Sequence, residues 1–275
     1  MSTPDIEQQI FTLLTREASL AAMSMGVGLT HLGQYNNYAQ TGFFHSGMFS
    51  LCVGLERVMK IILIYDHRLT HDGAFPDNEA LKSHGHRIST LLQKTKEIAE
   101  RHKLEVDDSE INDPIQVPIV QFLTDFATNA RYYNLDTLTG RSHQSLEPLA
   151  RWNSEVCSTI VQRHYKPSRQ RQAEIALVGE LLGSFAHIQQ TSDSGSQLTD
   201  AVSAVSESAL IDTKQRYSRL YLLALVKYVC NVLRELEYKG NFYPCLREFF
   251  PVFTGDNRKD DLKKKSWNPF PPYHF

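Results

Sequence analysis

The side chains with most capacity for chemistry in this 275-residue chain are histidines, arginines and tyrosines between residues 84 and 171. His84 and His86 flank Gly85, a spacing that raises a metal pair. A structural metal site takes about four ligands, and no cysteine or carboxylate set completes one here. We therefore expect no metal and no cofactor. His143, His164 and His187 are scattered and carry no motif. A basic stretch follows: Arg141, Arg151, Arg163, Lys166, Arg169 and Arg171 stand against only Glu147 and Glu155. Arg131, Tyr132, Tyr133 and Asn134 lie just upstream. Cations neutralise phosphates and aromatic faces stack bases, so this combination suits a nucleic-acid contact. The same arginines would also serve on a solvated helix with no partner, because a patch in sequence is not yet a patch in space.

Other chemistries lack their signatures. There is no GxxxxGK[ST], no GxGxxG ahead of a helix, no HExxH and no GxSxG. Phosphate-cradling loops, zinc proteolysis and nucleophile elbows are thus unsupported. The acidic connector EVDDSEINDP (105–114) lacks the turn glycine of a calcium loop and reads as solvated.

The elements that must position these residues are helical. The chain is 41% hydrophobic and 22% charged with a net charge of -2, so a nucleic-acid contact would have to be local. No strand alternation or fixed repeat stands out, and the class is all-α. The uncharged run over 18–55 is broken repeatedly by Ser, Thr, His, Gln and Asn, so no membrane span is expected. The N-terminus has no basic-then-apolar leader, and the default compartment is the cytoplasm. Cys52, Cys157, Cys230 and Cys245 are far apart, and three sit in apolar helical runs, as buried thiols do.

Apolar spacing gives a first helix over 5–24, with Ile10, Leu13, Leu14 and Ala18 inward, loosened beyond by Gly26, Gly28 and Gly33. Residues 34–44 read as a loop. A central helix over 46–66 is apolar on more than one face and carries Glu56, Arg57 and Lys60. Glu56 and Lys60 stand four apart, in the favourable order for a helical ion pair. The pair is either an ordinary surface pair or a partly buried one that fixes helix packing. After a loop (67–85), helices follow over 87–102, 115–131, 145–165 and 169–190. The helix over 145–165 turns Leu146, Leu149 and Trp152 inward, and that over 169–190 turns Leu177 and Leu181 inward. A long helix capped at Thr199 or Asp200 runs to about Tyr238 and closes on Gly240. The aromatic segment 242–253 should pack on the body, and the charged, Pro-aromatic tail 257–275 should order on contact. The division is a bundle over 1–166 and a helical extension with tail over 167–275, with one continuous domain as the alternative.

Two stretches carry a resemblance. GMFSLCVGLERVMKIILI (47–64) resembles the second helix of the HEPN superfamily, in which a Glu and a Lys four apart sit in an apolar run. LKSHGHRISTLL (81–92) is similar to the family's Gly-His-Asp-Leu segment, with Arg87 in place of the Asp. ARYYNLDTL (130–138) resembles its Arg-bearing stretch, and together the likeness covers residues 40–140. It implies an antiparallel bundle, commonly a homodimer, and in many members a metal-independent endoribonuclease of prokaryotic defence or toxin systems. In that chemistry a histidine moves protons for attack by the RNA 2′-OH and an arginine holds the phosphate. The resemblance places Arg131 as phosphate stabiliser and His86 or His143 as proton shuttle. Tyr132, Tyr133, Asn134, Arg141, Arg163, Lys166, Arg169 and Arg171 would contact RNA. No histidine stands five to seven positions after any arginine, which departs from the family's Arg–His spacing. The alternative is therefore a non-catalytic interaction or dimerisation module engaging a protein partner such as an antitoxin.

Overall fold

The computed structural model describes residues 3–35, 40–83, 85–128, 133–140, 146–182, 190–191, 197–255 and 257–270. The chain is an all-α helical bundle. Its helices are α1 (Thr3–His31), α2 (Thr41–Thr70), α3 (Asn78–Ser83), α4 (Ile88–Arg101), α5 (Gln116–Thr128) and α6 (Tyr133–Leu138). They continue as α7 (Pro148–Trp152), α8 (Ser158–His164), α9 (Arg169–Leu182), α10 (Ala201–Gly240) and α11 (Arg258–Lys263). Among the described residues the only extended pairing is a two-residue antiparallel ladder, Gln190–Thr191 with Gln197–Leu198.

α1 and α2 form an antiparallel hairpin. His31 Nδ1 lies 2.9 Å from Ser46 Oγ at one end, and Arg57 pairs with Glu17 further along. The helices nearly touch because small residues line their seam: Gly54 of α2 packs on Ala21 and Met25 of α1, and Gly47 on Gly28 and Leu32. A Cβ on Gly54 would come within 2.9 Å of Ala21 O and Met25 N, both backbone atoms of α1. The glycines therefore do not loosen the pattern as expected. α1 runs on through Gly26 and Gly28 to His31 because other chain segments fill the missing side chains' space: Gly28 meets Gly47 and Leu51 of α2, and Gly26 meets Trp267 and Pro269 of the C-terminal segment.

α2 buries Met48, Leu51, Leu55, Val58, Met59 and Ile62 between its neighbours. It starts five residues earlier than the apolar pattern suggested, because Phe44 is buried in an aromatic knot with Phe122 and Trp152. It also extends to Thr70, so the connection to α4 is shorter and holds α3. α4 turns Ile88, Leu91, Leu92 and Ile98 inward, and α5 turns Ile119, Phe122, Leu123 and Phe126 inward. The segment expected over 145–165 starts at Pro148 and passes through one π-helical turn, Asn153–Cys157, between α7 and α8. Leu146 precedes the helix and is 60% exposed, against the inward placement its spacing suggested.

α10 crosses the bundle as its longest helix. Leu222, Val226, Val229 and Leu233 share one hydrophobic cluster with α1, α2, α4 and α5. Its N-terminus is capped by Asp200, which accepts from Ser203 N–H at 2.8 Å. The helix ends on Asn241 in the left-handed conformation (φ 45°), not on a left-handed Gly240. Asn tolerates this region better than most residues. α9 is described from Arg169 to Leu182, the remainder of the expected helix up to 189 lies outside the described residues, and Leu177 and Leu181 are exposed instead of inward. The apolar stripe of α9 is wider than the face that α10 covers.

The C-terminal segment is strapped to α10. The fully buried Glu237 carboxylate accepts from the N–H groups of Leu246 and Arg247 and pairs with the Arg247 guanidinium at 2.9 Å. Lys227, the lone cation within the apolar stretch of α10, reaches Asp261 of α11 at 2.8 Å. Trp267 is buried, and its backbone N–H donates to Thr30 Oγ1 at 3.0 Å. The tail up to residue 270 is therefore held by the body of the protein. Cys52, Cys157 and Cys230 are buried thiols and Cys245 is half-buried.

Glu147 gives a pH-dependent stability prediction. It caps α7 by accepting from Ala150 N–H at 3.0 Å and faces His45 at 3.5 Å. Burial pushes its carboxyl up, but hydrogen bonds from His45 and from the N–H groups of Ala150 and Leu149 outweigh burial and bring it below the ordinary value of 4.5. A depressed carboxylate stabilises the fold above its unfolded pKa and loses that contribution as pH falls through the folded value. Urea denaturation should show Glu147→Gln less stable than wild type at pH 7, with the gap closing at pH 3. A gap of equal size at both pH values would show that ionised Glu147 contributes nothing.

Candidate functional site

The site is built on one face of α2. Helical spacing puts Val53, Glu56, Arg57, Lys60, Ile61 and Ile64 beside one another there. α1 supplies Glu17 across the hairpin seam. α3 adds Leu81, and the last turn of α5 adds Ala127 and Thr128. The chain then turns at Gly85, in the left-handed region at φ 60°, and delivers His86 just ahead of α4. These residues line a cleft of about 780 Å³ with an apolar floor and a charged rim.

Glu56 is the hub. Its Oε1 accepts from Lys60 Nζ at 2.8 Å and lies 2.8 Å from His86 Nδ1. Glu56 and Lys60 are mostly covered, at 20% and 26% side-chain exposure, whereas His86 is 70% exposed. The Glu56–Lys60 pair is thus the partly buried alternative, and it ties a residue 30 positions away to α2. An ionised carboxylate only accepts, so His86 Nδ1 carries the proton in this contact. A neutral imidazole then presents its lone pair at Nε2. The formal charges of Glu17, Glu56, Arg57 and Lys60 balance. The arrangement can therefore accept and return a proton beside a held ammonium group.

Other expected site residues are dispersed. Arg151 is bound by Asp125 at 2.8 Å and Glu155 at 2.9 Å. Arg163 is bound by Asp113 at 2.8 Å, and its neighbour His164 lies 2.9 Å from Tyr221 Oη. Burial and the nearby Arg258 and Arg163 hold His164 below the ordinary histidine value. Lys166 and Arg169 are exposed near the start of α9, and Arg171 lies within that helix. Tyr133 and Asn134 open α6, half-buried and exposed respectively. Arg131, Tyr132, Arg141 and His143 lie outside the described residues.

Arg57 and Glu17 were missed as site residues. Arg57 carried a signal, as one of three charges in the apolar run of α2, but Glu17 reads as an ordinary polar position of α1. Among the described residues, no three His, Cys, Asp or Glu side chains group as metal ligands. No helix among them is long and apolar enough to cross a membrane. Comparison with protein-family models, curated proteins and solved structures found no match.

Proposed function

We propose that this chain is a HEPN-like, RNA-engaging protein that cleaves RNA without a metal, in a prokaryotic defence or toxin setting. The observation that carries the reading is His86 oriented by Glu56 beside Lys60 at the rim of an open cleft. In this reading His86 Nε2 takes the proton of an RNA 2′-OH. That oxygen attacks the adjacent phosphorus, the bond to the 5′-oxygen breaks, and the imidazolium returns the proton to the leaving oxygen. The products are a 2′,3′-cyclic phosphate and a 5′-hydroxyl. Lys60, and Arg131 three residues after the cleft residue Thr128 in sequence, offset the negative charge that builds on the phosphate. A homodimer and a cytoplasmic setting accompany the reading.

A second reading, a non-catalytic helical module for a protein partner or antitoxin, is favoured by one observation. Arg151 and Arg163 of the basic stretch are bound to carboxylates of the protein itself. Cleavage of a broad RNA pool in EDTA, with Arg131→Ala alongside, separates the two. Wild-type cleavage that persists in EDTA and is lost in the variant is expected. Absence of cleavage, with any partner binding insensitive to salt, would favour the interaction module, since phosphate contacts weaken steeply as salt rises.

A further inference from the structure

A second cleft, of about 730 Å³, lies further along the same hairpin. It is lined by Glu7, Gln8 and Phe11 of α1, Arg68 near the end of α2, Phe75 and Tyr243. The Arg68 guanidinium lies 4.8 Å from the centre of the Phe75 ring and 4.7 Å from that of Phe242. Its Nη1 is buried with no hydrogen-bond partner among the described residues. Tyr243 is 74% exposed and packs on Phe11 with ring centres 5.4 Å apart, and Phe75 is 40% exposed. Large rings left this open, beside a guanidinium, form a platform for another planar group.

We infer that this cleft is a nucleobase-stacking subsite for single-stranded RNA, which rests on the RNA reading above. A base is planar enough to stack on Tyr243 and Phe75, and its edge carries both donors and acceptors for Glu7 and Gln8. The subsite and the Glu56 cleft are bordered by the same three stretches of chain. Ile64 and Arg68 stand one turn apart on α2, Glu17 and Phe11 share α1, and Leu81 and Phe75 come from the α2–α4 connection. The twelve residues from Glu56 to Arg68 rise ~18 Å along α2. At about 3.4 Å per stacked nucleotide that is roughly five nucleotides. One short strand therefore reaches from the stacking subsite to His86.

The test is fluorescence anisotropy of a labelled ten-nucleotide single-stranded RNA, with wild type, Tyr243→Ala, Phe75→Ala and Tyr243→Trp. The replaced side chains are exposed, and unchanged melting curves confirm folding. Each alanine variant should weaken binding by roughly 5- to 150-fold, the worth of one stacked base. The slope of affinity against salt should stay unchanged, because no phosphate contact is lost. Tyr243→Trp should retain affinity. Wild-type affinity in both alanine variants, or a loss accompanied by a shallower salt slope, overturns the subsite while leaving RNA engagement intact. No RNA binding by wild type removes the subsite together with the proposed function.

Discussion

His86→Ala is expected to lower RNA cleavage by roughly 10²- to 10⁴-fold, the usual worth of a positioned general base. The variant should keep its fold, since His86 is mostly exposed and contributes no apolar packing to the core. Glu56→Gln separates proton transfer from orientation. An amide can donate as well as accept, so the substituted side chain would no longer oblige His86 to carry its proton on Nδ1. The expected result is an intermediate loss of turnover with little change in RNA affinity. Single-turnover cleavage and anisotropy measured on both variants check this. Wild-type turnover in His86→Ala would exclude His86 as the proton shuttle, and equal losses of affinity and turnover would make the cluster a binding element only.

The second large effect is on stability. Gly54→Ala replaces the poorest common helix former by the best, which alone favours the helix by ~0.5–1 kcal/mol. The added Cβ, however, meets the α1 backbone at Ala21 O and Met25 N, 2.9 Å away, and a backbone cannot rotate aside. Overpacking of this kind costs about 1–3 kcal/mol, so the clash outweighs propensity and the variant is less stable. Gly42, in the first turn of the same helix, has nothing within 4 Å of a built Cβ. Gly42→Ala should therefore be neutral or stabilising. Denaturant melts of the two variants would show opposite signs. Gly54→Ala at or above wild-type stability would mean that the α1–α2 seam separates without cost.

How far the sequence is legible depends on the range of the interaction. The apolar pattern of α2 marked residues that the structure buries, and α4 and α5 form within the spans the pattern gave, because helical periodicity and burial are two sides of one constraint. Glu56 and Lys60 were legible as a pair because four residues make one helical turn. Asp200 was legible as a cap from its position ahead of the α10 pattern. Boundaries were less legible where tertiary packing overrode local pattern. Phe44 extended α2 into a polar stretch, and the glycines of α1 proved to be contact residues. Leu13 is 53% exposed although its spacing pointed inward, since local period cannot say how wide a face the neighbouring helices cover.

The sequence by itself determined that the chain is helical, that its thiols are largely buried and that a Glu–Lys pair sits in an apolar run. These follow from composition and from spacings within a turn or two of helix. Only the tertiary structure decided which charges meet. It closed His86 onto Glu56 across 30 residues and Arg57 onto Glu17 across 40, and it bound Arg151 and Arg163 to internal carboxylates rather than leaving a basic stripe. The physical reason is that such contacts depend on how α1, α2, α4 and α5 pack. Backbone spacing controls neighbours within a helix, whereas the burial of apolar faces controls which helix ends and loops are brought together.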